Sequence, residues 1–386
     1  MEQDLCIGLM SGTSLDGADA VLADCAGWKP RVLAHAYQPF GERLRDAFLA
    51  LQSSGDDELH RAALAANALA DHYAELISTL LSRAAISGSA VRAIGAHGQT
   101  VRHRPDLSYT CQINAPARLA ELSGIDVVAD FRSRDVAAGG HGAPLVPALH
   151  ARLFRESGRE RAVLNLGGIA NLTQLPSSAN PEPVRGWDCG PGNVLLDVWT
   201  ARHGRGRYDA EGRWAASGRV LDALLASLLS EPWLARDPPK STGRDLFNEV
   251  WLERHLAAAV GARSEDVAAT LAQFTARSVA LSIAQHMPRC DSVVVCGGGA
   301  FNGDLMRRLG EELARRMASA FDIQSSDELG VGPLEVEALA FAWLAHQFLI
   351  GAPGNLAAVT GARGARLLGA LYPAHVRPET LPNEAS

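Results

Sequence analysis

Lysine is almost missing from this chain: Lys29 and Lys240 are the only two among 386 residues, and neither follows a glycine. That excludes a P-loop, whose Gly-x4-Gly-Lys-Ser/Thr string needs a lysine beside the phosphates. The six cysteines, Cys6, Cys25, Cys111, Cys189, Cys290 and Cys296, include no Cys-x-x-Cys spacing. Scattered thiols of this kind fit a reducing cytoplasm better than a disulfide framework or a zinc site. Excess positive charge is lacking as well. A formal charge of -7, with a pI near 6.0, argues against nucleic acid as a partner, because such a grip requires a basic face. Local spots such as Arg102-His103-Arg104 remain able to meet a small anion. No uninterrupted apolar run approaches the ~18–20 residues that span a bilayer, and Met1-Glu-Gln-Asp4 lacks the basic flank of a signal peptide. With 47% hydrophobic and 20% charged residues, the expectation is a soluble cytoplasmic protein without a membrane partner. The length allows two domains with well-buried cores.

What is present is glycine in three polar turns, each following an apolar run that reads as a β-strand: Gly12–Gly17, Gly167–Asn171 and Gly297–Gly299. Leu5–Met10, Ala18–Asp24 and Arg31–Tyr37 read as three consecutive strands. Asp56 or Asp57 then opens a long helix to about Ile86, with Leu59, Ala63, Ala66, Ala70, Tyr73, Ile77 and Leu80 on one face. Val91–Ala96 and Asp126–Phe131 are further strands, each running into a polar string: 97–105 after the first, the Gly-rich 132–142 after the second. The second half repeats the order, with strands at Ala162–Leu166, Asn171–Leu175 and near Val184–Trp187, then a helix over Gly192–His203. An irregular, Pro-rich stretch over 231–248 precedes a helix at Ser264–His286, a strand at Ser292–Cys296, and helices at Gly303–Met317 and Pro333–Leu349. A strand triplet followed by helix, occurring twice, predicts an α/β protein of two related lobes. The expected division is 1–130, completed by about 352–380, and 131–351.

Flexible glycines before a helix or between strands present backbone amides to anions. A dinucleotide fold requires Gly-x-Gly-x-x-Gly; Gly297-Gly-Gly-Ala-Phe-Asn-Gly303 misses the third glycine by one. A protein-kinase catalytic loop is absent. The remaining scheme has a strand-turn-strand hairpin from each lobe embracing phosphates, with a later turn against adenosine. Gly12, Thr13, Ser14, Asp16 and Gly17 would serve in the first lobe, and Gly167, Gly168 and Asn171 in the second. Gly297, Gly298, Gly299 and Asn302 would meet the nucleoside. This arrangement resembles the superfamily of actin, sugar kinases and chaperone ATPases, which implies two actin-like, ribonuclease H-like lobes around a central ATP cleft.

Longer strings narrow the resemblance. Gly8-Leu-Met-Ser-Gly-Thr-Ser-Leu-Asp-Gly17, Ala96-His-Gly-Gln-Thr-Val-Arg-His103, Asn165-Leu-Gly-Gly-Ile-Ala-Asn-Leu-Thr173 and Asp188-Cys-Gly-Pro-Gly-Asn193 are similar to the anhydro-N-acetylmuramic acid kinases. Asp130–Val136, Pro239–Arg244, Cys296–Asn302 and Glu337–Leu344 extend the match along the chain in the family's order. The resemblance implies ATP-dependent conversion of 1,6-anhydro-N-acetylmuramic acid and water into N-acetylmuramic acid 6-phosphate, in peptidoglycan recycling. ATP and Mg²⁺ are the implied cofactors, the sugar is a small-molecule partner, and a homodimer is a family expectation.

Opening the 1,6-anhydro bridge needs water at the anomeric carbon while O6 leaves. If O6 leaves toward the γ-phosphate, one general base suffices, unlike the carboxyl pair of ordinary inverting glycosidases. Asp188, beside Gly190 and Gly192, is the candidate base; from its residues alone, capping the following helix explains it equally well. Asp16 is a candidate for holding Mg²⁺ through water, or a turn-stabilising Asp before Gly17. The superfamily's usual first-strand Asp-x-Gly-Thr reads Met10-Ser-Gly-Thr13 here, so its usual metal-side carboxylate is missing from that place. Arg132 and Arg134 suit the lactyl carboxylate, although arginines in a bare loop are more often solvated. His97, Gln99 and Thr100 sit at a strand's carboxyl end, where open α/β sheets place ligands; a lone histidine there is more often structural. Glu337 is a polar interruption in an apolar helix, either ligand-facing or a surface charge. Lys240, Ser241 and Thr242 suit a nucleotide contact and a solvated loop equally well. Another sugar kinase and an actin-like assembly protein are the competing functions.

Overall fold

The computed structural model describes residues 3–12, 15–180, 182–317 and 321–375. Its strands are β1 (Leu5–Ser11), β2 (Gly17–Asp24), β3 (Arg31–Pro39), β4 (Val91–Ala96), β5 (Gln99–Arg104), β6 (Tyr109–Ile113) and β7 (Val127–Ala129). They continue as β8 (Arg161–Leu166), β9 (Ile169–Leu175), β10 (Arg185–Pro191), β11 (Ser292–Cys296), β12 (Asp322–Ser325) and β13 (Ala370–Tyr372). The chain divides into two compact units, 1–153 with 334–386, and 154–333.

The first unit carries a six-stranded sheet in the order β13-β7-β4-β1-β2-β3. β1, β2 and β3 form an antiparallel meander, while β4 and β7 run parallel to β1. Helix Glu58–Ala84 covers one face, burying Ala65, Ala66, Leu69, Ala70, Tyr73, Leu76, Ile77 and Leu80. Leu59 is exposed and so is Ala63, so the buried stripe begins later than the spacing predicts. Asp57 is the N-cap but makes no side-chain capping bond. Helix Val336–Leu349 packs on β1, β2 and β4, and its approach depends on absent side chains. Gly8 and Gly95 are register partners. A Cβ on Gly8 would overlap the Ala338 carbonyl, and one on Gly95 the Phe341 carbonyl. Two glycines side by side thus let the helix backbone lie on the sheet.

Two polar segments of this unit carry structure that the sequence pattern does not assign. The string after β4 contains β5, which pairs with β6 as a separate two-stranded hairpin. The 132–142 segment contains a short helix, Ser133–Ala137, entered after Asp130 (φ +59°) breaks the line of β7.

The second unit holds a five-stranded sheet in the order β10-β9-β8-β11-β12. β8, β9 and β10 form the meander and β11 and β12 lie parallel to β8. Each sheet therefore has its first strand inside, the next two antiparallel on one side and two later parallel strands on the other, with β13 added antiparallel to β7 at the edge of the first sheet. That repeated order is the one expected of two related α/β lobes. Helix Ser264–His286 is the spine of this unit; Ala276, Val279, Ala280 and Ile283 pack beneath β8–β11, and Val267, Leu271 and Phe274 against a helical cluster. It is the one described helix long and apolar enough to cross a membrane, and it is mostly buried inside the unit. Each fully buried leucine or phenylalanine there contributes about 1.5–3 kcal/mol. The units meet in sequence at 153/154 and 333/334, whereas the sequence pattern suggests 130/131 and 351/352. The second boundary differs because helix Val336–Leu349 packs on β1 and β4.

Candidate active site

In the first unit the parallel strands β1, β4 and β7 end on one edge of the sheet, and the polar residues that follow them gather there. The turn after β1 is held from below. Ser11 Oγ donates to the Gly98 carbonyl at 3.1 Å and lies 3.1 Å from Tyr73 Oη. Gln99 Nε2 donates to the Gly12 carbonyl at 3.3 Å, while its buried Oε1 has no partner among the described residues. Thr13 and Ser14 lie outside the described residues. Asp16 is half-buried, and its carbonyl accepts from Phe40 N–H at 3.0 Å and Tyr37 Oη at 3.1 Å. Gly17 packs directly on Tyr37.

At the ends of β4 and β7, Arg132 reaches His97. Its Nε and Nη2 lie 3.0 and 2.9 Å from His97 Nε2, and its Nη1 donates to the Gly142 carbonyl at 2.8 Å. Burial, then the Arg132 charge, push the His97 pKa well below the ordinary imidazole value. Burial also lowers the Arg132 guanidinium to about 10, against the charges of Glu337 and Asp135, which favour its protonated form. Phe341, one turn beyond Glu337, stacks on His97 with ring centres 4.7 Å apart. The structure thus brings His97, Arg132 and Glu337 together from three distant stretches of chain. Thr100 belongs instead to the hairpin, where its Oγ1 accepts from Gln112 Nε2 at 3.1 Å. Arg134 is exposed, and its side chain makes no hydrogen bond or ion pair among the described residues.

Asp135 carries no role in the sequence pattern, yet it organises this edge. Fully buried, it accepts from Gly142 N–H (2.8 Å), Asn355 Nδ2 (2.6 Å) and Thr360 Oγ1 (2.8 Å). These bonds tie the 132–142 segment to the 355–363 segment, with His141 N–H on the Thr360 carbonyl and Arg363 N–H on the Ala138 carbonyl. The separation of more than 200 residues hides this from any local pattern. Burial, the Arg132 charge and then His141 lower the His103 pKa, which favours its neutral ring.

The second unit places its polar residues at the corresponding end of its sheet. Asn165 on β8, Asn171 on β9 and Asp188 on β10 are register partners in one row, each half-buried among buried neighbours. They occupy the face opposite Leu164, Leu172, Trp187 and Cys189, which pack on the spine helix. The β9–β10 register shifts between Asp188 and Gly190, so Cys189 is the extra residue of a bulge, a device that re-aims a side chain. Gly190 adopts φ +145°, and a Cβ there would press on Ser278.

Asp188 is held by an unexpected partner. Its Oδ2 accepts from Ser241 Oγ at 3.0 Å and Thr242 N–H at 2.9 Å, and its N–H donates to the Lys240 carbonyl at 3.1 Å. Asn193, not Asp188, is the N-cap of helix Val194–Arg202, without a side-chain capping bond. Burial raises the Asp188 pKa above the usual carboxylate value, opposed by the Thr242 N–H, the Ser241 hydroxyl and the Lys240 charge.

The two glycine turns of this unit meet at the end of β8. Gly167 and Gly168 carbonyls accept from Asn193, Gly192 and Val194 N–H at 2.8, 2.9 and 3.1 Å. Because C=O and N–H point oppositely across a planar trans peptide, the N–H groups of Gly168 and Ile169 face away from that helix. Gly297 (φ +81°) and Gly299 lie against Asn165 and Leu166, where a Cβ would clash, whereas a Cβ on Gly298 would meet open space. Asn302 is committed as a helix cap, its Oδ1 accepting from Leu305 N–H at 2.9 Å.

Amide donors on glycine turns fit a polyphosphate. Among the described residues no three His, Cys, Asp or Glu side chains gather as a metal cage. Mg²⁺ in phosphoryl-transfer sites takes one or two carboxylates, the substrate phosphates and water, and Asp16 beside the first turn fits that mode.

Residues 4–374 match the family model described as anhydro-N-acetylmuramic acid kinase. Proteins of that name from Bordetella petrii, Burkholderia cenocepacia and Variovorax paradoxus are 58%, 56% and 55% identical over 374, 367 and 380 residues. The matches cover 96%, 95% and 97% of this chain and 96%, 95% and 100% of those proteins. Among solved structures, component A of the Acidaminococcus fermentans (R)-2-hydroxyglutaryl-CoA dehydratase is 14% identical with a TM-score of 0.49, covering 88% of this chain and 96% of that one.

Proposed function

The chain belongs to the anhydro-N-acetylmuramic acid kinase family, and from that premise we propose how its own residues divide the work. It is a kinase that uses ATP to open the 1,6-anhydro ring of 1,6-anhydro-N-acetylmuramic acid and phosphorylates O6. The products are N-acetylmuramic acid 6-phosphate and ADP, within cell-wall recycling, a role that places the enzyme in the cytoplasm.

Asp188 is the general base. It removes a proton from water as the oxygen attacks C1; the C1–O6 bond breaks, and O6 takes the γ-phosphoryl group of ATP. The observation that carries this is the setting of Asp188: a half-buried carboxylate in a row with Asn165 and Asn171, its pKa raised by burial toward the range useful to a base near neutral pH. Arg132 binds the lactyl carboxylate, with His97 fixing the guanidinium plane and Glu337 holding its charge. Gln99, whose buried Oε1 has no partner among the described residues, adds a sugar contact. Gly12, Thr13, Ser14 and Gly17 with Gly167, Gly168 and Asn171 hold phosphates, and Gly297, Gly298, Gly299 and Asn302 lie against adenosine. Asp16 is the residue that would hold Mg²⁺, through water, and the ion would supply charge neutralisation at the transferring phosphoryl group.

The test supplies the anhydro sugar, ATP and Mg²⁺ and follows products by mass spectrometry and early NMR. The expected product gains both water and phosphate, with inverted anomeric configuration before mutarotation. Asp188→Asn should lose ring opening and phosphorylation together, by roughly 10²–10⁴-fold, with ATP binding intact. Near-normal turnover in that variant would overturn the base assignment, and retained configuration would overturn direct attack by water.

A further inference from the structure

We propose that Ser241 is a positioning residue for Asp188: with the Thr242 N–H it occupies Oδ2 and leaves Oδ1 as the atom that takes the proton from water. This rests on Asp188 being the base. Both side-chain bonds to Asp188 fall on the same oxygen, at 3.0 and 2.9 Å. No hydrogen bond among the described residues reaches Oδ1. Two donors on one oxygen restrain rotation of the carboxylate, and the Asp188 N–H on the Lys240 carbonyl holds the backbone that carries it. The second oxygen is thereby aimed before the substrate arrives, which is where orientation contributes to rate.

The segment that carries Ser241 is itself anchored. Trp233, buried and edge-on to Phe247 at 5.9 Å, donates from Nε1 to the Ser241 carbonyl at 3.0 Å. Lys240 lies 4.7 Å over the Trp233 ring and donates from Nζ to the Leu234 carbonyl at 2.9 Å. The only lysine besides Lys29 is therefore spent on the strap, not directed at phosphate. Glu231 extends the anchor, accepting from Trp233 N–H at 3.1 Å and Trp251 Nε1 at 2.8 Å. A staple between strap and strand would need one bond to any acceptor. Two converging on one carboxylate oxygen, in a half-buried row of polar side chains, define a supported base.

The test is the pH dependence of kcat/KM in the full-length enzyme for Ser241→Ala and Ser241→Thr. Hydrogen bonds to the charged form lower a carboxyl pKa. Removing the Ser241 hydroxyl should therefore move the acid limb to higher pH by about one unit, with activity recovering on the alkaline plateau; Ser241→Thr, which keeps the hydroxyl, should leave the limb in place. An unmoved limb in Ser241→Ala, or a uniform loss at every pH, overturns the positioning role. Failure of Asp188→Asn to impair turnover overturns the base assignment instead, so the two failures are distinguishable.

Discussion

Nε and Nη2 of Arg132 converge on one atom, Nε2 of His97, at 3.0 and 2.9 Å. A guanidinium has donors and no acceptor, so Nε2 must offer its lone pair, and His97 is neutral with its proton on Nδ1. Burial and the adjacent charge act in the same direction. The imidazole thus serves as a fixed acceptor that orients a cation, and protonating it would break the pair.

That assignment has a stability consequence. The folded-state pKa of His97 is depressed below its ordinary value of 6.5, so the unfolded chain takes up the proton first as pH falls. The contribution is complete above about pH 6.5 and is lost below it, reaching about 1.4 kcal/mol at one pH unit lower. Thermal unfolding at pH 7.5 and 5.5 should show a smaller drop in Tm for His97→Gln, which keeps an acceptor but cannot titrate. His72, His103, His150, His255 and His286 are depressed in both proteins and cancel in the comparison. Equal drops would refute the assignment.

Arg132→Lys should raise KM for the sugar about 10–100-fold while KM for ATP stays unchanged. The ammonium carries the charge but cannot form the planar fork, and a charge-assisted hydrogen bond is worth about 1.5–3 kcal/mol. Steady-state kinetics with each substrate varied separately would show it. An equal rise in both constants would point to general disruption.

Gly95→Ala tests the packing of helix Val336–Leu349. The new methyl would meet the Phe341 carbonyl, and backbone cannot rotate away as a side chain can. The expected cost is roughly 1–3 kcal/mol, read as a lower Tm. A raised KM for the sugar should accompany it, because the same helix carries Glu337 and the Phe341 ring against His97.

Asp135→Asn replaces a pure acceptor that serves three donors. Whichever way the amide turns, its NH₂ faces a donor, at a cost of about 1–3 kcal/mol. Hydrogen exchange should quicken at Gly142 and Arg363, whose amides are bonded within this knot. Unchanged exchange there would show that Asp135 does not hold the segment.

Local chemistry makes much of the fold readable. Strands Val91–Ala96 and Ser292–Cys296 and helix Ser264–His286 have the bounds their apolar patterns predict. Long buried elements must repeat apolar residues at their own period, so the pattern survives in one dimension. The β5–β6 hairpin escapes because it stands outside both main sheets and Val101 is the one apolar residue of β5. Its faint signal was the Tyr109–Ile113 alternation beyond the Pro105–Leu107 turn.

By itself the sequence determined the family, the α/β class with its repeated strand triplet, the glycine turns and the candidate base, because each depends on residues adjacent in the chain. Tertiary structure alone decided the partners. His97, Arg132, Asp135, Glu337 and Asn355 are drawn together along one sheet edge from across the chain, and the strap of Lys240, Ser241 and Thr242 proves to be the support of Asp188. The physical reason is that a buried charge must find its partner wherever the fold supplies one, and no local spacing records that choice.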